Sequence, residues 1–208
     1  MKNSLIILGV FLLGGILGFS NIIPKSNVGH SVSMYVLYIL MFQVGISIGS
    51  NKNFKELFSS LSLKMFLVPL STIIGTLLFS ALAGLLLTKW TIFDCMAVGS
   101  GFAYYSLSSI LIIQFKEPSL GLQMATELGT IALLTNIFRE MTSLLGASFF
   151  RRYFGKFAPI SAAGVNSMDI VLPLISRYSG KEMIPIAIFH GILIDMGVPF
   201  FVSLFCGM

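Results

Sequence analysis

Arg139 and Glu140 stand side by side in the middle of 126–150, a run that is otherwise almost free of charge. If that run is a helix in a membrane, each charge at its centre costs roughly 2.5–3.5 kcal/mol or more. Adjacent helical residues project about 100° apart, so these two do not neutralise each other and each needs a partner elsewhere. Arg139 suits a bolt to another helix, or the basic half of a binding site. Glu140 suits a carboxylate that loads and releases protons. Asp169 follows Asn166 and Ser167 in a stretch rich in helix breakers, where it is either the partner of Arg139 or a ligand for a cation. His190 lies midway along 183–206 and is either a satisfied interior histidine or a proton relay. Asp195, five residues on, is turned about 140° away from His190 and is the weaker candidate. The run 100–109, Ser-Gly-Phe-Ala-Tyr-Tyr-Ser-Leu-Ser-Ser, adds hydroxyls at Ser106 and Ser108 and free backbone carbonyls, which suit an ammonium group or a small cation. Tyr104 and Tyr105 offer it an aromatic wall, or else form an interfacial belt. Glu127 lies at a segment's end, where water reaches it, and needs no special role.

The elements that would position these residues follow from composition. Of 208 residues, 56% are hydrophobic and 10% charged, with a mean hydropathy of +0.94. A soluble domain carries about a quarter of its residues as charges, so this is a membrane chain. Its net charge of +5 comes from residues scattered in short loops. They form no basic stripe for a phosphate backbone, which argues against nucleic acid. Cys95 and Cys206 have no metal-ligand spacing and read as small apolar fillers. Lys2 and the apolar run after it resemble a signal peptide without a cleavage site, hence an uncleaved first span. The expected fold is all-α and polytopic, one transmembrane domain over 1–208, with spans at 4–23, 31–50, 65–87, 126–150 and 183–206. Two further stretches, 95–114 and 160–176, are too rich in glycine, serine, asparagine and proline to face lipid. Broken backbone at membrane depth survives when buried in protein or lining a wet cavity.

Basic residues choose between topologies. If all seven segments cross, Lys2, Lys52, Lys55, Lys64, Lys116, Arg177 and Lys181 face Lys25, Lys89, Arg151, Arg152 and Lys156 across the membrane. If both broken stretches are re-entrant, only Lys25, Lys89 and Lys116 remain outside. The positive-inside rule prefers the second arrangement. It places the N-terminus in the cytoplasm and the C-terminus outside, with one dip from each face. Two such dips meeting near the midplane is the logic of inverted-repeat transporters. Full crossing by both segments is the rival.

Four motifs occur in order: Ser100-Gly-Phe-Ala-Tyr-Tyr-Ser-Leu-Ser-Ser, Phe138-Arg-Glu, Asn166-Ser-Met-Asp-Ile-Val-Leu-Pro and Ile188-Phe-His-Gly. Together they resemble the bacterial lysine-exporter family, closely over 97–200 and loosely over 4–90. The resemblance implies export of L-lysine or a close analogue across the inner membrane, in exchange for protons. It places the family's intramembrane acid on Glu140 and its paired basic residue on Arg139. Asp195 stands where the family is expected to be uncharged. Family members also carry further spans ahead of the point where this sequence opens, and Phe42-Gln-Val-Gly-Ile-Ser-Ile-Gly resembles a segment found in both halves of such proteins. The expectation is a split transporter whose amino-terminal spans come from a separate small membrane protein, with a homodimer of that complex as a further option. No cofactor is expected beyond the proton gradient, with Na⁺ as the alternative coupling ion. The competing classes are a sodium-coupled organic-ion carrier, an accessory subunit, and an intramembrane enzyme using Glu140, Asp169 and His190. Against the enzyme, the chain has no H-E-x-x-H and no recognisable serine–base motif.

Overall fold

The computed structural model describes residues 63–208, together with Tyr35, Ile39, Phe42 and Ile46 as single helical positions. The expected spans 4–23 and 31–50 otherwise lie outside the described residues. The chain divides into two compact units, Met1–Phe42 and Gln43–Met208. Every helix below belongs to the second.

Among the described residues there are six helices and no strand. A short 3₁₀ turn, Leu63–Phe66, leads into α1, Leu67–Leu86. After Lys89 comes α2, Ile92–Gly99. Thr91 caps it in a capping box: the Asp94 N–H donates to Thr91 Oγ1 at 3.0 Å, and the Thr91 N–H donates back to Asp94 Oδ2 at 3.0 Å. Residues 100–104 break the helix, with Phe102 and Ala103 both at positive φ (44° and 76°). Next is α3, Tyr105–Phe154, interrupted at Gly121 (φ 77°, ψ 160°) three residues after Pro118. Its two limbs fold back on each other there. A Cβ on Gly129 would sit 2.9 Å from the Ser109 carbonyl oxygen, and Asn136 Nδ2 donates to Ser108 Oγ at 3.4 Å. α4 (Ala158–Ala163) passes into a 3₁₀ segment, Gly164–Met168, then α5 (Leu172–Ser179), a turn at Lys181–Met183 and α6 (Ile184–Cys206).

The expected span 65–87 matches α1, and 183–206 matches α6. The expected span 126–150 lies in the second limb of α3, which starts earlier, straight after Gly121. Residues 115–125, read as a loop, are helical on both sides of that glycine. By length and composition, α1 and the stretch Lys181–Cys206 are apolar enough to cross a membrane.

Ion pairs show where each broken stretch begins and ends. Lys116 Nζ lies 2.8 Å from Asp94 Oδ1, so the start of α2 and the far end of the first α3 limb share one mouth. Lys89 pairs with Glu127 at the same end. Lys156 Nζ lies 3.2 Å from Glu182 Oε1, so the stretch from α4 to α5 likewise returns to where it started. The Glu182 carboxyl is held below its usual range, first by its own backbone N–H and then by the Lys156 ammonium. These two mouths lie at opposite ends. α6 runs from beside Glu182 to Cys206, which lies within electrostatic reach of Lys116 and Asp94, and its 23 residues span roughly 34 Å. α1 is aligned with it: Val68 packs with Ile160, Met183 and Ala187, and Gly84 admits Ile92 so closely that a Cβ would sit 2.8 Å from its Cα. Between hydrocarbon-facing helices such close backbone packing, rather than water exclusion, supplies the cohesion.

Candidate binding site where the two breaks meet

The breaks touch directly. The Val165 N–H donates to the Phe102 carbonyl oxygen at 3.0 Å, joining the 3₁₀ segment to the turn at 100–104. Gly164 makes this contact possible: its φ is +61°, and a Cβ there would overlap the Phe102 carbonyl. Asn136, on the second limb of α3, holds the other side of the turn. Its Oδ1 accepts from the Ala103 N–H at 2.8 Å, while its Nδ2 donates to the carbonyls of Ala132 (2.8 Å) and Val98 (3.3 Å). Backbone groups freed by the break therefore find partners, as the membrane interior requires.

Arg139 takes the bolting role. Its Nε donates to the Ala162 carbonyl at 3.2 Å, Nη2 to the Ser161 carbonyl at 3.0 Å, and Nη1 to Thr76 Oγ1 at 3.1 Å, with the Phe102 ring 5.7 Å from its guanidinium carbon. The alternative in which Asp169 holds Arg139 does not occur: among the described residues Arg139 makes no ion pair. The physical reason is that α4 ends here, and its last carbonyls have no helical partner. A guanidinium carries enough fixed donors to satisfy two carbonyls and a hydroxyl together.

His190 is wholly buried and bonded on both ring nitrogens, Nδ1 to Ser167 Oγ and Nε2 to Thr72 Oγ1, each at 3.0 Å. Ser167 Oγ also reaches the Ala187 carbonyl at 2.9 Å, and Thr72 Oγ1 the Val68 carbonyl at 2.9 Å. Each hydroxyl has one proton. With a neutral ring, one hydroxyl must therefore choose between the ring and its carbonyl. This is the satisfied interior histidine, tying α1, the 3₁₀ segment and α6 together. A groove of about 690 Å³ runs behind it, lined by Thr72, Thr76, Ser80, Ser161 and Phe150 among others. The acidic residues do not line that groove.

Those residues gather on the other side. Tyr104 lies within electrostatic reach of Asp195 and Asp169, and Tyr105 within reach of Glu140 and Asp169. Asn166 is the polar neighbour of Glu140, and its buried Nδ2 makes no hydrogen bond within the described residues. Glu140 is half-buried and Asp195 buried. Asp169 is exposed, not sealed inside as its neighbours in sequence suggested, and it accepts from the Ile170 N–H. No Lys or Arg pairs with Glu140, Asp169 or Asp195 among the described residues. Tyr104 and Tyr105 are half-buried beside them, Ser106 is half-buried in the first turn of α3, and no side chain caps that turn. Ser108 faces away from the acids, bonded to the Tyr104 carbonyl at 2.8 Å and to Asn136.

Sequence reasoning missed three supports. Asp94 and Lys116 form a buried ion pair that closes one mouth. Asn136 carries the turn, and Thr72 with Thr76 holds His190 and Arg139. A carboxylate three residues after Thr91 was a legible capping signal. Asn136, a lone amide in an apolar run, was another.

Comparison with known proteins gives the family. The profile described as lysine exporter LysO matches residues 8–206. The lysine exporter LysO of Escherichia coli K12 is 28% identical over 205 residues, covering 98% of this chain and 64% of its own length. A protein of Haemophilus influenzae named as a candidate lysine exporter is 30% identical over 176 residues, covering 83% of each chain. This chain thus spans about 64% of the length of the E. coli relative. No solved structure matches it. With a profile covering residues 8–206 of 208, the chain belongs to the lysine exporter family of membrane proteins.

Proposed function

We propose that this chain forms the substrate path of an inner-membrane exporter of L-lysine, or a closely related cationic amino acid, in exchange for protons. The observation that carries this reading is the gathering of Glu140 and Asp169 beside Tyr105 at the crossing, where no Lys or Arg pairs with either of them among the described residues. Uncompensated carboxylates inside a membrane are costly. They are therefore occupied in every stable state, by the ammonium groups of the substrate or by protons. Glu140 and exposed Asp169 take the ammonium end, Tyr104 and Tyr105 wall it, and the uncapped first turn of α3 offers N–H groups and its positive dipole end to the carboxylate. Exchange follows from the same cost. Lysine leaves only when protons replace it, and the protons leave only when lysine returns.

The test is uptake of labelled lysine into inverted membrane vesicles, where export becomes accumulation. Accumulation is expected when the lumen is acidic and is expected to collapse with a protonophore. Vesicles that contain the protein yet match empty-vector vesicles under the same gradient would reject the reading.

The proposed topology has two dips entering from opposite faces, supported by the two mouths closed at Asp94–Lys116 and Lys156–Glu182. Impermeant thiol reagents on whole cells are expected to label cysteines placed at the exposed positions Lys89 and Ser119. Cysteines at Lys156 and Glu182 are expected to react only after permeabilisation. Labelling of positions 89 and 119 from opposite faces would rule this topology out.

A further inference from the structure

We propose that Asp195 holds a second exchanged cation, a proton or a small metal ion, so that two positive charges enter for each lysine that leaves. This rests on the exporter reading above and adds a site and a charge count to it.

Asp195 lies on α6 one turn beyond Gly191. That glycine lets α6 pack against the 3₁₀ segment so closely that a Cβ would sit 2.9 Å from the Val165 carbonyl oxygen. Asp195 therefore faces inward, toward the crossing, where Tyr104 from the break before α3 and Asp169 from the second break lie within its electrostatic reach. Its exposure is 3%, and its Oδ1 has no hydrogen-bond partner among the described residues. The nearest basic group of the crossing, Arg139, is committed to two carbonyls and a threonine. A carboxylate so placed keeps its charge only with a counter-cation, and otherwise takes up a proton.

Size decides which cation. Asp169 is exposed and Glu140 half-buried, whereas Asp195 is buried, with Tyr104 within its electrostatic reach. An ammonium group on a flexible chain reaches the first two. Only a bare proton or a small ion such as Na⁺ fits the third without opening the packing. In this proposal the cation on Asp195 loads and unloads within the same cycle as lysine. Lysine carries one positive charge outward. One proton inward on the open acids balances it, and the cation on Asp195 makes the cycle carry one net charge inward.

The experiment measures accumulation of labelled lysine in inverted vesicles from cells expressing the full chain, with the potential clamped by potassium and valinomycin and no pH gradient. With a lumen-positive potential of about 59 mV, wild type is expected to reach a steady ratio of about tenfold, because one net charge gives tenfold per 59 mV. Asp195→Asn is expected to lose that potential-driven accumulation and keep accumulation driven by a pH gradient. Repeating the wild-type measurement with and without a sodium gradient identifies the ion. A sodium-dependent ratio assigns Na⁺ to Asp195, and an unchanged ratio assigns a proton. Should Asp195→Asn fail to reach the membrane, the wild-type ratio still decides. A ratio of one under the potential, with uptake intact under a pH gradient, overturns this inference alone. Unchanged potential dependence in Asp195→Asn overturns it too. No lysine uptake by wild type under any gradient overturns the exporter reading and this inference with it.

Discussion

Vesicles carrying Glu140→Gln are expected to accumulate labelled lysine at least about 100-fold more slowly than wild type, a loss of roughly 2.7 kcal/mol, with normal amounts of protein in the membrane. The substitution keeps the shape of the side chain and an oxygen for the Asn166 amide beside it. It removes the negative charge that attracts an ammonium group and the oxygen that takes up a proton. Folding should be little affected, because Glu140 makes no ion pair among the described residues and is only half-buried. A loss of flux at wild-type abundance therefore separates chemistry from stability. Wild-type flux from this variant would remove Glu140 from the coupling step and leave Asp169 as the acid to examine.

The largest structural effect is expected at Gly164. Gly164→Ala forces a side chain into φ +61°, ψ −129°, a region that side chains avoid, and drives its Cβ into the Phe102 carbonyl. Relief requires moving the 3₁₀ segment, which breaks the Val165–Phe102 hydrogen bond at the centre of the crossing. A loss of about 3–5 kcal/mol is expected, read as a lowered melting temperature in detergent. Gly121→Ala is the control. Its φ is also positive (+77°), but nothing lies within 4 Å of the added carbon, so backbone strain of about 1–3 kcal/mol is all it should cost. Equal destabilisation by the two would mean that the contact between the breaks contributes little.

The two breaks were legible because Gly101, Asn166 and Asp169 are residues that a lipid-facing helix does not carry. What lay beyond reach was partner choice. Arg139 satisfies carbonyls of α4, and no pattern in the sequence marks a carbonyl as unpaired before the fold is known. Lys116 was counted as a loop charge, yet it is buried 2.8 Å from Asp94. Pro118 lies within α3, and the chain turns at Gly121. The acids divide in the same way. Their residue types announced cation chemistry, but only packing shows that Asp195 is sealed and Asp169 open.

The hydrogen bond from Val165 to Phe102 also has a bearing on how the chain is made. Synthesis runs from the amino end, so the turn at 100–104 leaves the ribosome well before residue 165 does. Until then the Phe102 carbonyl lacks the donor that Val165 supplies, and a bilayer cannot replace it. The insertion machinery, which reads stretches of about 20 apolar residues, can seat α1 and α6 one at a time. The turn at 100–104 is expected to settle only once the 3₁₀ segment lies beside it. A chain halted after Phe154 is expected to hold that turn loosely and to be open to quality-control proteases.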